Sequence, residues 1–191
     1  MTFTTWEDDR LITGIASAQT EALGVLYDRY GRLVYSLAVR ILNDEGLAEE
    51  VTQDVFTQCW NKAGQYRSEQ GKVITWLTSM ARNRSIDLLR RRNVRPEGHQ
   101  VGWADGTSPD LPDPLDVEAA VEVDQDRHRL LTAIAALPDE QKRVLALSYF
   151  QGLSHQEISD TLGEPLGTVK TRLRLAMQKL RQTLERDWAP R

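Results

Sequence analysis

Ser154-His-Gln-Glu-Ile-Ser-Asp-Thr-Leu-Gly-Glu-Pro-Leu-Gly-Thr-Val-Lys-Thr-Arg-Leu-Arg-Leu-Ala176 carries the densest local signals in the chain. Ser154 followed three residues later by Glu157 is a capping box, so a helix starts there and runs to about Leu162. Gly163 suits a helix end that needs positive φ, and Pro165 pre-sets φ for a new helix. Val169, Leu173 and Ala176 then recur on one face of a last helix that continues through Leu180 and Leu184 to about Trp188. A short capped helix, a tight turn and a basic second helix make a helix-turn-helix. In that motif the second helix enters the major groove and its first turns face base edges. Lys170, Thr171 and Arg174 share the face opposite the apolar one, and Arg172 is placed for a phosphate. The competing reading is an ordinary helical hairpin with a solvated basic face.

Working outward, Leu130, Leu131, Ile134 and Leu137 predict a helix stopped by Pro138, and Glu140–Phe150 predicts another. Gln151-Gly-Leu153 breaks the chain before the capping box. Upstream of these, the pattern is again helical. Leu23, Leu26, Tyr27, Tyr30, Val34, Leu37, Ala38, Ile41 and Leu42 recur at intervals of three and four. Asn43-Asp-Glu-Gly46 is a turn with capping side chains. Leu47, Val51, Val55, Cys59 and Ala63 form the stripe of the next helix, ended by Gly64. Tyr66–Lys72 is a loop, and a basic helix runs from Val73 to Arg92. A short helix over Thr5–Ala16 precedes them, with Thr5 and Asp8 as a capping pair. No alternating strand pattern competes, so the fold class is all-α.

Charge divides the 191 residues. The totals, 24 Lys and Arg against 28 Asp and Glu, give a formal net charge of −4, which argues mildly against nucleic acid as a partner. The distribution reverses that argument. Arg67, Lys72, Arg82, Arg84, Arg90, Arg91, Arg92 and Arg95 form one basic block, and Lys170, Arg172, Arg174, Lys179, Arg181 and Arg186 a second. Between them Pro96–Asp126 holds acidic residues without a Lys or Arg, and is rich in Pro and Gly. Such a stretch buries too little apolar surface to offset its ordering entropy, and it reads as a flexible acidic linker. The expected organisation is a helical domain over 1–94, the linker over 95–116 and a second helical domain over 117–191.

Three side-chain constellations carry chemistry. The helix-turn-helix is the first. The second is Arg82-Asn-Arg-Ser-Ile-Asp-Leu-Leu-Arg-Arg-Arg92, with Tyr66 and Trp76 nearby: basic groups hold phosphates and aromatic faces stack on unpaired bases. Spacing favours a core role for Trp76 and leaves loop residue Tyr66 more open to function. The third is the helix carrying Glu49, Glu50, Gln53, Asp54 and Gln58 beside Phe56 and Trp60, an acidic and aromatic face of the kind that anchors a protein partner. Simple packing of Phe56 and Trp60 is the bland alternative. Enzyme readings are weak. Asp8-Asp9 and Glu49-Glu50 are adjacent pairs that point about 100° apart on a helix. His99, His128 and His155 lack ligand or triad spacing, and no phosphate loop is present. A single cysteine, Cys59, excludes an internal disulfide and reads as core. No metal or cofactor is expected, and without a signal sequence or membrane-length apolar run the expected setting is the cytoplasm.

Ala48-Glu-Glu-Val-Thr-Gln-Asp-Val-Phe-Thr-Gln-Cys-Trp60 resembles the region 2 helix of sigma-70 family factors that docks on the RNA polymerase clamp. Thr75-Trp-Leu-Thr-Ser-Met-Ala-Arg-Asn-Arg-Ser-Ile-Asp-Leu-Leu-Arg-Arg-Arg92 resembles the promoter-melting helix that follows it. Leu137-Pro-Asp-Glu-Gln-Lys-Arg-Val-Leu145, Gly152-Leu-Ser-His-Gln-Glu-Ile-Ser159 and Leu162-Gly-Glu-Pro-Leu-Gly-Thr-Val-Lys-Thr-Arg-Leu173 resemble region 4. Two regions in order across an acidic linker look like the minimal, extracytoplasmic-function (ECF) class. The resemblance implies docking on the core-polymerase clamp by Glu50, Gln53, Asp54, Phe56 and Trp60, with the polymerase flap as a further partner surface. It implies reading of the −10 element by Tyr66, Arg67 and Asn83, with Arg84, Arg90 and Arg91 on its backbone. It implies −35 recognition by Lys170, Thr171, Arg172 and Arg174, a linker threading the polymerase channel toward the RNA exit, and no catalysis by the factor itself. It further implies control by an anti-sigma factor, often membrane-anchored, with no membrane insertion of the chain itself. The loop Gln65–Thr75 departs from the Phe-Arg-Gly-Glu-Ser-Ser type of many members, so no promoter sequence is assigned. The rival reading is a stand-alone helix-turn-helix regulator, which would need a dimer to read two half-sites. A metal-dependent nuclease is a third and weaker one.

Overall fold

The computed structural model describes residues 3–94 and 129–187, with the side chains of 93–94 and 184–187 excluded. The linker, the expected start of the second domain, His99, His128 and Trp188 lie outside the described residues. Chain contacts separate two compact units, residues 1–100 and 101–191. Among the described residues every regular element is helical.

In the first unit, α1 (Asp8–Ala16), α2 (Thr20–Leu42), α3 (Glu45–Lys62) and α4 (Val73–Val94) follow a 3₁₀ turn at Phe3–Thr5. α2 packs on all three other helices, and α3 also packs on α4. Leu11, Ile15, Leu26, Val34, Val51, Val55, Val73 and Leu77 are fully buried in one continuous core. Burial of each such side chain contributes about 1.5–3 kcal/mol. The connections are short because their chemistry stops the helices. Asn43 adopts the left-handed conformation at the end of α2 (φ 50°), which Asn tolerates, and Asp44 caps α3 by accepting from the Leu47 N–H at 3.0 Å. Gly14 lets α1 approach α2 closely: a Cβ there would lie 3.1 Å from the Ala22 Cβ and 3.2 Å from the Trp6 ring.

The start of α1 differs from its expected cap. The helix begins at Asp8 after Glu7, whose side chain makes no cap bond, and Thr5 sits in the preceding 3₁₀ turn. The Asp8 carboxylate is instead drawn across to α2, where it accepts from Arg29 and Tyr30.

The second unit contains a helix over residues 129–135 (α5), α6 (Asp139–Tyr149), α7 (His155–Leu162) and α8 (Leu166–Asp187). Its apolar interior is two small clusters joined along α8. Val144, Ile158, Val169 and Leu173 form one, and Ala133, Leu137, Ala176 and Leu180 the other. The Ser154–Glu157 capping box is complete, and Gly163 takes φ 65°. The Pro165 carbonyl accepts the Thr168 and Val169 N–H groups at the start of α8.

Candidate functional site

The recognition face of the helix-turn-helix is the simplest to build. α7 and α8 meet through Ile158, Val169 and Leu173, which turns the opposite side of α8 outward. Lys170, Thr171 and Arg174 are exposed there, with Met177 at 57% exposure one turn further on. Arg172 differs from its expected phosphate-facing role. Its Nη1 donates to Glu164 Oε2 at 2.5 Å, and the pair is only 26% and 29% exposed. Glu164 is also held through its backbone, whose carbonyl accepts from the Ser159 hydroxyl and whose N–H donates to the Ser159 carbonyl. Arg172 therefore braces the turn against α8, because it lies beside the core face rather than opposite it.

The acidic surface of α3 is real but narrower than expected. Glu49, Glu50 and Gln53 are exposed, and Trp60 is half-buried. Phe56 is a correction: it is 5% exposed and belongs to the core, with the Tyr27 ring packed edge-on at a centroid distance of 4.9 Å. α3 is buried on two sides, against α2 and α4, so the apolar arc is wider than the stripe of Val51, Val55 and Cys59 alone. Tyr27, expected in the apolar stripe of α2, is instead 50% exposed. It borders an open groove between α2 and α3 lined also by Asp28, Arg32, Tyr35, Glu49 and Gln53. Sequence reasoning missed this groove. Its signal was the excess width of the α2 stripe, which one buried face cannot absorb.

The expected docking and DNA residues meet at Arg84. Its Nε donates to Asp54 Oδ2 at 2.6 Å and its Nη2 to Glu50 Oε1 at 3.1 Å. Arg84 is 24% exposed, so a residue expected on the −10 backbone is committed to carboxylates expected on the polymerase. Asn83 and the arginines Arg90 and Arg91 are exposed on α4. Arg92, nearer the helix end, pairs with Asp44 at 3.3 Å.

Tyr66 is likewise held from within. Its ring lies 5.4 Å from that of half-buried Trp76, and its hydroxyl reaches the Gly71 carbonyl at 2.9 Å and Asp9 Oδ1 at 3.1 Å. Burial first, then the Asp9 bond, pushes its phenol up to about 12. The exposed part of the loop is Arg67–Gln70, where Arg67 donates to the Gly64 and Tyr66 carbonyls. Gly71 closes the loop at φ 151°.

Cys59 is fully buried, and desolvation pushes its thiol up to about 12, so it is almost wholly protonated at neutral pH. Among the described residues no cluster of three His, Cys, Asp or Glu side chains is arranged to hold a metal ion, and no helix is long and apolar enough to cross a membrane.

The described residues thus form two helical units, one with an acidic helix packed against a basic helix and one whose last helix exposes a basic face. Residues 26–95 match the family model of Sigma-70 region 2, and residues 127–180 match that of Sigma-70, region 4. The ECF RNA polymerase sigma factor SigK of Mycobacterium sp. (strain KMS) is 31% identical over 183 residues, covering 95% of this chain and 93% of that protein. SigK of Mycobacterium tuberculosis (strain ATCC 25177 / H37Ra) is 32% identical, with 93% of each covered. Among solved structures, Rhodobacter sphaeroides SigE, crystallised in complex with the anti-sigma ChrR, is 33% identical with a TM-score of 0.46, covering 91% of this chain and 95% of that one. The chain belongs to the ECF RNA polymerase sigma factors, whose work is transcription initiation.

Proposed function

We propose that this factor docks core RNA polymerase through the outer face of α3, with Glu50, Gln53, Asp54 and Trp60 as contacts, and carries it to promoters read at two elements. In this reading Lys170, Thr171 and Arg174 read the −35 element, while Arg67, Asn83, Arg90 and Arg91 engage the −10 element. Phe56, Tyr66, Arg84 and Arg172 support these faces from behind. The observation that carries the reading is the recognition face of α8: exposed Lys170, Thr171 and Arg174 follow a capped α7 and a glycine turn, in a chain that also matches region 2. The functional divisions are 1–94, the linker 95–116 and 117–191. The linker follows the channel toward the RNA exit, and its acidity suppresses binding of the free factor to DNA, because phosphate contacts dominate non-specific affinity. The factor performs no catalysis of its own, works in the cytoplasm and is restrained by an anti-sigma factor, as a partner of that kind accompanies the similar SigE.

Run-off transcription tests this. The purified chain with bacterial core polymerase on a pool of genomic promoter fragments is expected to give new, discrete start sites. Absence of both transcription and co-elution with a cognate core enzyme would overturn the reading in favour of a stand-alone regulator, which should then bind duplex DNA tightly as a dimer.

A further inference from the structure

α1 lies outside the stretch that matches region 2, which begins at residue 26. It is nevertheless bonded to the loop that the proposed function assigns to −10 reading. Asp9, in the first turn of α1, is 57 residues from Tyr66, yet the Tyr66 hydroxyl lies 3.1 Å from its Oδ1. The same hydroxyl is 2.9 Å from the Gly71 carbonyl, across the base of the loop. A phenol has one proton for these two acceptors, so both ends of the loop and α1 converge on one atom. The ring is fixed independently by Trp76. α1 itself is anchored to α2 through Asp8, which accepts from Arg29 and Tyr30. The result is a braced loop with an exposed tip at Arg67–Gln70.

From this geometry we infer that Asp9 and Tyr66 are positioning residues for base selection: α1 holds the loop so that its tip presents one fixed arrangement to an unpaired base. The inference rests on the proposed reading of the −10 element by this loop. Side chains that choose between bases must be held to within a fraction of an ångström, and a loop tethered only by its own backbone is not held so.

The test is transcription with holoenzyme on a promoter library randomised through the −10 element, scored position by position. Tyr66→Phe keeps the ring on Trp76 and removes the hydroxyl. Asp9→Ala removes the acceptor, and Asp9→Asn removes the charge but retains an oxygen acceptor. Tyr66→Phe and Asp9→Ala are expected to reduce discrimination about three- to tenfold at a single −10 position, the worth of one hydrogen bond. Asp9→Asn is expected to retain discrimination. The −35 preference and core-polymerase affinity should stay as in the wild type. Unchanged discrimination in Tyr66→Phe and Asp9→Ala, or an equal loss of activity on every promoter, would overturn the inference. An Arg67→Ala/Glu69→Ala/Gln70→Ala tip variant separates it from the reading beneath it. If that variant also leaves every −10 preference unchanged, the loop does not read bases at all.

Discussion

The two units spend their polar side chains differently. In the second unit the residues expected to meet DNA stand apart from those that hold the fold: Lys170, Thr171 and Arg174 face outward, and Arg172 alone braces the turn. In the first unit residues expected at the DNA face are drawn into the framework instead, with Arg84 tied to Glu50 and Asp54, and Tyr66 tied to Asp9 and Gly71. The cause is architectural. α7 and α8 are a short motif whose shape is set by a capping box and a glycine turn, so few side chains are needed to fix it. The first unit packs three long helices side by side, and polar residues at their seams meet across the interface.

This contrast can be broken most forcefully at Phe56. Its truncation to alanine should cost the first unit about 3–5 kcal/mol, the usual penalty for emptying a buried aromatic site. In the full chain, urea unfolding should then show an early transition for helices α1–α4, with α5–α8 unchanged. A melting curve matching the wild type would return Phe56 to the surface. Next in size, Lys170→Ala and Arg174→Ala should each relax −35 selectivity by about 1–3 kcal/mol per lost base contact, without moving the unfolding midpoint. Competition transcription on −35 variants measures this. If either variant unfolds more easily instead, the separation of reading from framework in the second unit fails.

A double-mutant cycle on Arg84 and Asp54 sharpens the other side of the contrast. Charged hydrogen bonds at part-buried sites couple by about 1–2 kcal/mol, so the two alanine variants should be non-additive in unfolding free energy by that amount. Additivity would mean that Asp54 does not hold Arg84 in place. The smallest effect is expected at Ser154. Its replacement by alanine removes one half of the capping box and should lower the stability of the second unit by about 1 kcal/mol. Thermal unfolding of the full chain checks this.

What could be read from sequence follows the range of the interactions. Helix positions follow from periodicity, the start at Ser154 from its capping side chain, and the stops at Asn43 and Gly163 from residues that tolerate the left-handed conformation. These signals span a few residues. The braces do not: Arg84 and Asp54 are 30 residues apart, and Tyr66 and Asp9 are 57 apart. A basic residue on a basic helix looks like a phosphate ligand until its cross-helix partner is known. Phe56 misled for a related reason, since the burial of α3 by two neighbours is a tertiary fact that a single stripe does not encode. The family resemblance points to faces; it does not reveal which residues hold them in place.

The turn of the second unit has a consequence for how such factors diverge. Glu164, Ser159 and Arg172 fix the angle at which α8 leaves Gly163, while Lys170, Thr171 and Arg174 contribute little to that angle. Exposed substitutions at such sites typically change stability by only about 0.5 kcal/mol. In the proposed reading, promoter preference at the −35 element can therefore drift from one descendant to the next almost without cost to folding, whereas a new preference at the −10 loop must be found by changes that keep its tie to α1. Duplicated copies of this chain would be expected to part company first in what their last helix reads.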